Sequence, residues 1–436
     1  MLICPGTIEQ VSARLWRASG LSLAVTTLAV LLAACFPPPA PAPTPLPPPT
    51  RPPSPSPSPL PSQSSSPITS PSQSYPLLPS RLEDQPAAIA DYLNAAPGNR
   101  VALGQFVSER SRSANQPTDR LIEIDLDGDQ KPELVLIVYS EQQRDVSTAG
   151  PRGFVAAYRE AGGRYELLPV PGGIAETAQA GPTILKAEDL NRNSGAELAF
   201  SYRSCGASTC FDSLAIVGWD GARLKRLTPE SLQMANPSIS IADLDGDGVA
   251  EIVLTGGLQG SLGAGLQRQR TETYLWNGAQ WSLAKTEFAP STERYFALVD
   301  AERAFAQRNF GTALRLYRSA ANDASLANTR VQQPSDPGPD LRAFARFRLL
   351  VTDVVVGQED DAMAVLTEAR QQDAATAFVN LTETFWRNYT HTGSIRATCD
   401  QVVAMVAADP RPYLETLNGY GYANQDFKPG DLCRLV

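Results

Sequence analysis

The chain has 436 residues, with 37 Lys and Arg against 46 Asp and Glu, a formal charge of −9 and one histidine. An acidic chain without a long basic run is a poor partner for nucleic acid or an anionic lipid surface, so no nucleic-acid role is expected. The single imidazole, His391, excludes histidine-rich metal sites and acid–base schemes that need two.

Arg14 and Arg17 precede an apolar stretch, Leu21 to Ala34, of 14 residues. A membrane-spanning helix needs about 20, so the stretch reads as the core of a signal peptide. It runs into Leu32-Ala33-Ala34-Cys35, which resembles the bacterial lipobox. That resemblance implies that residues 1–34 are removed and that Cys35 carries lipid. The protein is then expected to be exported, anchored to the membrane, and facing the cell surface or the periplasm. Residues 35–80 hold 19 of the 37 prolines and little besides Ser, Thr, Ala and Gln. Proline at this density favours solvated polyproline II, a stalk of on the order of 140 Å if fully extended.

In the short segment 81–120, two helices are expected, over Glu83–Ala95 and Val101–Arg112, on either side of Pro97-Gly98. Residues 121–290 change character to short apolar strands separated by turn signals. Three segments recur there, starting at Asp125, Asp189 and Asp243, 64 and 54 residues apart. The first is Asp125-Leu126-Asp127-Gly128-Asp129-Gln130-Lys131-Pro132-Glu133. The second carries Asp189, Asn191, Asn193, Gly195 and Glu197 at positions 1, 3, 5, 7 and 9, and the third Asp243, Asp245, Asp247, Val249 and Glu251. A tight loop turns side-chain oxygens at positions 1, 3 and 5 inward, position 7 offers a carbonyl, and position 9 closes with a carboxylate. Such a set suits Ca²⁺, which takes six to eight hard oxygens at roughly 2.4 Å. An EF-hand needs Glu at position 12 between helices; here Leu136 and Leu254 stand at that position within strand-like runs. The second loop has two carboxylates where the others have four, so it is expected to bind most weakly.

The pattern resembles the FG-GAP or VCBS-type repeat of integrin-α-like β-propellers, in which a calcium loop joins two strands of a blade. Hairpins follow each loop, over Phe154–Glu160 with Arg164–Val170, Leu214–Trp219 with Arg223–Leu227, and Glu272–Trp276 with Gln280–Glu287. The last turns at Asn277-Gly278, a strong hairpin signal. Three four-stranded blades are implied, fewer than the four to eight of closed propellers. The expectation is therefore an open or atypical propeller with its ends covered by neighbouring helices. Trp219, Trp276 and Trp281 are expected in the blade cores.

Six cysteines suit an exported protein. Cys4 leaves with the signal and Cys35 takes the lipid. Cys205–Cys210 and Cys399–Cys433 are the expected disulfides. Residues 291–436 are alanine-rich with helical periodicity. Phe310, Ala313, Tyr317 and Ala320 form one rhythm and Gly357, Ala362, Leu366 and Ala369 another, with a third beginning at Gly393 and Ile395. This resembles degenerate tetratricopeptide repeats, with a plain helical bundle as the alternative. The fold class expected is thus multidomain α+β, with propeller-like blades followed by helical repeats. The function expected is a lipid-anchored, calcium-stabilised binding or scaffolding module for a protein or glycan partner, and not an enzyme. A role in processing envelope polysaccharide is the alternative, and it would need two carboxylates in a cleft outside the loops.

Overall fold

The computed structural model describes residues 75–110, 119–140, 152–174, 180–206, 208–330 and 336–435. The signal segment, Cys35 and the stalk up to residue 74 lie outside the described residues. Among those described, no helix is long and apolar enough to cross a membrane.

The fold is mixed α+β: two short helices, three antiparallel sheets, then a helical C-terminal region. The first pair is α1 (Gln85–Ala95) and α2 (Asn99–Arg110). Sheet one comprises β1 (Arg120–Ile124), β2 (Glu133–Tyr139), β3 (Gly153–Ala161) and β4 (Arg164–Leu168), paired in chain order. Sheet two contains β5 (Thr183–Glu188), β6 (Glu197–Cys205), β7 (Cys210–Trp219) and β8 (Leu224–Arg226). A fifth strand, β9 (Gln233–Ala235), pairs with the first half of β7, so this sheet is five-stranded rather than four-stranded. The reason is that β8 covers only residues 217–219 of β7 and leaves positions 211–213 with a free edge. Sheet three comprises β10 (Ser238–Ala242), β11 (Glu251–Gly256), β12 (Arg270–Trp276) and β13 (Trp281–Phe288).

Alternation along the strands assigns each face a neighbour. Leu134, Leu136 and Val138 point to α1 and α2, where they meet Ile89, Leu93 and Leu103. Val135, Ile137 and Tyr139 point the other way, to Leu198, Phe200 and Tyr202 of sheet two. Ala199, Leu214 and Ile216 then face Ile252, Leu254 and Trp281 of sheet three. Trp276 packs in this second gap and Trp219 against the first.

The two ends of this stack differ. Helices cover the first sheet, but the outer face of sheet three, with Ser240, Val253, Thr255, Thr271 and Thr273, joins no hydrophobic cluster among the described residues. Among the described residues, no helix adds apolar side chains to this face. The Ser and Thr content of the face explains why no apolar cover is needed. No closed barrel or propeller forms among the described residues.

The helical region runs through α3 (Arg294–Ala306), α4 (Phe310–Asn322), α5 (Gly338–Val355), α6 (Glu359–Gln372), α7 (Phe378–Thr392), α8 (Ile395–Ala408), α9 (Arg411–Leu417) and α10 (Pro429–Leu432). Ala313, Ala320, Ala362 and Ala369 are buried where consecutive helices touch. His391 lies in the exposed last turn of α7, not beyond it. Cys205 is bonded to Cys210 across the β6–β7 hairpin, and Cys399 of α8 to Cys433 after α10.

The central helix α5 buries charge. Arg346 pairs with Asp373 at 2.5 Å, and Arg348 donates from Nε to Glu302 at 2.6 Å. Asp353 is fully buried, and neither carboxylate oxygen accepts a hydrogen bond. Its nearest cation is Arg318, at 3.7 Å. Burial pushes its carboxyl up to about 6, with Arg318 opposing and the charge of Asp361 adding to the rise. A carboxyl raised in the folded state holds its proton there while the unfolded chain releases it. Stability is therefore lost as pH climbs from about 4 to about 6, and the penalty is complete above that. Asp353→Asn is expected to raise stability at pH 7 by on the order of 2 kcal/mol and to leave it unchanged near pH 4. Denaturant melts across pH will read this difference.

Candidate metal centre

Each of the three loops joins the first two strands of a sheet: 125–132 links β1 to β2, 189–196 links β5 to β6, and 243–250 links β10 to β11. One hydrogen-bond scheme recurs. Asp125 accepts from the N–H of Gly128 at 2.7 Å and of Gln130 at 2.9 Å. Asp243 accepts likewise from Gly246 and Gly248 at 2.7 and 2.9 Å. Asp189 accepts from Asn193 at 3.2 Å and Ser194 at 2.9 Å. Position 3 accepts from the N–H of position 5, and position 5 from that of position 7, in every loop. Short side chains bonding to backbone two residues on are Asx-turns, which is why Asp and Asn alternate here.

The scheme bends the backbone at positions 4 and 6 into the left-handed region. Gly246 and Gly248 have φ of 83° and 88°, where glycine carries no steric penalty. The second loop forces Arg192 and Ser194 into the same region, at 62° and 74°.

Position 9 anchors the loop. Glu133, Glu197 and Glu251 begin β2, β6 and β11, are 2%, 1% and 8% exposed, and accept the N–H of position 2 at 2.7, 2.8 and 2.7 Å. Burial pushes Glu197 up to about 7. Burial also raises Glu133; the N–H of Leu126 opposes the rise, and the charges of Asp127, Asp125 and Asp129 add to it.

In two loops the carboxylates converge. Asp125, Asp127 and Glu133 each offer an oxygen within 4.8 Å of the others, and so do Asp243, Asp245 and Glu251. These are positions 1, 3 and 9. The position 5 aspartates, Asp129 and Asp247, stand outside both groups, occupied with the N–H of Lys131 and of Val249. The second loop brings Asp189 and Glu197 to equivalent places, but Asn191 turns its amide N–H to Glu197 at 2.7 Å. Gly195 donates to Asn193 at 2.9 Å. Three hard anionic oxygens in one small space suit a divalent cation, so the donor sets of the first and third loops fit Ca²⁺. The second has too few charges.

Arginines adjoin two of the loops. Arg159 of β3 stands 3.6 Å from Asp127, and Arg192 of the second loop donates to the Asp247 carbonyl at 2.7 Å. Among the described residues, no ion pair engages the three carboxylates of the third loop. Sequence spacing carried no sign of either arginine contact.

Neighbouring loops are stitched edge to edge. Ala196, at position 8 of the second loop, donates to the Asp125 carbonyl at 3.1 Å, and Ala250, at position 8 of the third, to the Leu190 carbonyl at 2.7 Å. Position 8 of the first loop is Pro132, which has no N–H and no preceding loop to reach. The leucine at position 2 fills the gap to the next sheet: Leu126 is fully buried between sheets one and two, and Leu190 is buried between two and three. Leu244 has no following sheet and is 62% exposed.

No protein-family model matches the chain, and no curated protein matches it.

Leu126→Ala should therefore cost about 2–4 kcal/mol of stability, as for other large-to-small core changes. Leu244→Ala, the same change at the same loop position, should cost under about 0.5 kcal/mol. Chemical denaturation of the two variants will measure the contrast.

Proposed function

We propose that this protein is a lipid-anchored, non-enzymatic surface module in which calcium-bound β-repeats and helical repeats present a binding or scaffolding face to a protein or glycan partner. The observation that carries the proposal is the convergence of carboxylates from positions 1, 3 and 9 in the first and third repeats, on loops joined edge to edge. The third loop is the stronger site and the first the weaker, because Arg159 already partners Asp127. The second loop binds weakly or not at all.

The sheets support a reading as consecutive blades of an open, propeller-like array: each pairs its first four strands in chain order, and the first and second each pass one face to the next. The helix pairs, with alanines at their crossings, support a tetratricopeptide-like reading. Leu32-Ala33-Ala34-Cys35 supports the anchor, and the proline stretch supports a stalk that holds the folded part off the bilayer. Calcium would neutralise the loop carboxylates and stiffen the edge on which they are aligned.

Hydrolysis of polysaccharide is less well supported. The cavity beside α3 holds two acids, Glu302 and Asp431. Glu302 accepts from Arg348 and from the Tyr317 hydroxyl, both at 2.6 Å, and Asp431 caps α10 by accepting from the Lys428 N–H at 2.8 Å.

Extracellular modules bind Ca²⁺ with Kd of roughly 0.1–1 mM, so about 1 mM calcium adds about 0.4–1.4 kcal/mol per site by mass action. Chelation should lower the melting temperature by several degrees, roughly in proportion. Asp245→Asn should remove the larger share of that response and Asn193→Ala almost none. A melting curve indifferent to chelator, with no calcium by elemental analysis, would overturn the metal assignment. Anchoring has its own test: Cys35→Ser should abolish incorporation of labelled fatty acid, and equal labelling of both proteins would refute the lipid anchor.

A further inference from the structure

Two adjoining cavities, of about 240 and 270 Å³, lie along α3 and share Val299, Arg303 and Gln425. One opens toward α5 and the C-terminal segment, the other toward the β11–β12 loop of sheet three. In a chain of net charge −9, their walls are basic: Arg268, Arg270, Arg303, Arg348 and Arg434.

The carboxylates around them do not match these cations one for one. Asp300 serves two guanidiniums, accepting from Arg268 at 2.7 Å and from Arg303 at 2.7 Å. Glu302 is held by Arg348, and Glu272 by Arg270 at 2.6 Å. Asp431 caps α10, and Arg434, on the exposed rim, has no carboxylate partner among the described residues. Nε of Arg268, whose side chain is 9% exposed, and Nη2 of the fully buried Arg348 also have no acceptor among the described residues, although neither atom is open to solvent. Guanidinium donors in surplus over acceptors, in a concave and partly dry site, favour an oxyanion.

The same walls are half apolar. Val299 and Phe296 border the cavities, and the guanidiniums of Arg268 and Arg303 stand over the Phe288 ring, at 4.6 and 4.1 Å from its centre. Arginines fixed against a ring and against Asp300 are already oriented, so a ligand loses little freedom in meeting them. Each cavity alone is smaller than the roughly 300–1,000 Å³ of ordinary ligand pockets, and the pair together falls within that range.

We propose that this groove binds a small amphipathic anion, with a carboxylate or phosphate group held by Arg303 and Arg434 and an apolar body against Val299 and Phe296. The site lies at the junction of sheet three with the helices, distinct from the calcium loops, and requires no metal.

The test uses the full chain and three probes of similar size: phenyl phosphate, benzoate and neutral benzamide. At least one of the two anions should bind with Kd of about 0.1–1 mM by calorimetry and raise the melting temperature, while benzamide does neither. The preferred anion identifies the head group as phosphate or carboxylate. Arg434→Gln, on the exposed rim and without an ion pair to lose, should weaken binding about tenfold with an unchanged circular dichroism spectrum. Arg303→Gln should weaken it at least as much. Chelator should leave the affinity unchanged. The proposal is overturned if neither anion binds up to about 10 mM, if benzamide binds as well as the anions, or if Arg434→Gln binds like the wild type.

Discussion

The β region depends on one buried contact made three times: a glutamate at the start of a strand accepting the N–H of the residue that follows the loop's first aspartate. A carboxylate only 1–8% exposed is costly to hold without partners, and here the loop backbone supplies one. The bond fixes the loop's entry relative to its exit. With that fixed, the leucine at position 2 is aimed into the space where the next sheet packs, and the carboxylates at positions 1 and 3 gather above the glutamate. The convergence of the loop carboxylates and the packing of the sheets are therefore set by the same few atoms. A change at position 9 cannot alter one without disturbing the other.

Much of this was legible because it is local. Asp-x-Asp-x-Asp spacing, a closing glutamate and flanking apolar runs all lie within nine residues, and Asn277-Gly278 marks its hairpin by the same short-range chemistry. What escaped was either too short or too distant. Gln233–Ala235 is three residues with no alternation to detect, and it becomes a strand only because β7 leaves an edge for it. The arginines beside α3 are scattered over positions 268 to 434 and share nothing until the helices and the β11–β12 loop meet. Arg346, Arg348 and Asp353 sit within two turns of one helix, and nothing in their spacing marks them as interior, yet α5 is enclosed by its neighbours and all three are buried. Position 5 behaves unlike positions 1 and 3 in the first and third loops. Asp129 and Asp247 hold the turn, and the convergent oxygens are those of positions 1, 3 and 9.

The α-helical region uses polar groups differently. In the loops, carboxylates near the surface organise backbone. In α5, the buried Arg346 guanidinium is satisfied side chain to side chain, reaching Asp373, Gln372 and Asn322. Such networks tolerate little change, because removing one partner strands another in a low-dielectric interior. Asp353 is held with neither oxygen hydrogen-bonded, so its protonation as pH falls relieves a burial penalty in the helical region.

The unlike ends of the sheet stack give it a direction of growth. At the first end, Pro132 offers no N–H to a preceding loop and α2 closes off the apolar face. At the last, Leu244 protrudes and the open face needs only a few Ser and Thr changed to Val or Ile to become a packing surface. A further unit of 54 to 64 residues, inserted between Phe288 and Arg294, would meet an uncovered sheet face. The same unit placed ahead of Arg120 would have to displace the helices. An added sheet would thus meet an open face at the last sheet and a covered one at the first, and it would have to part Arg268 and Phe288 from Asp300 and Arg303.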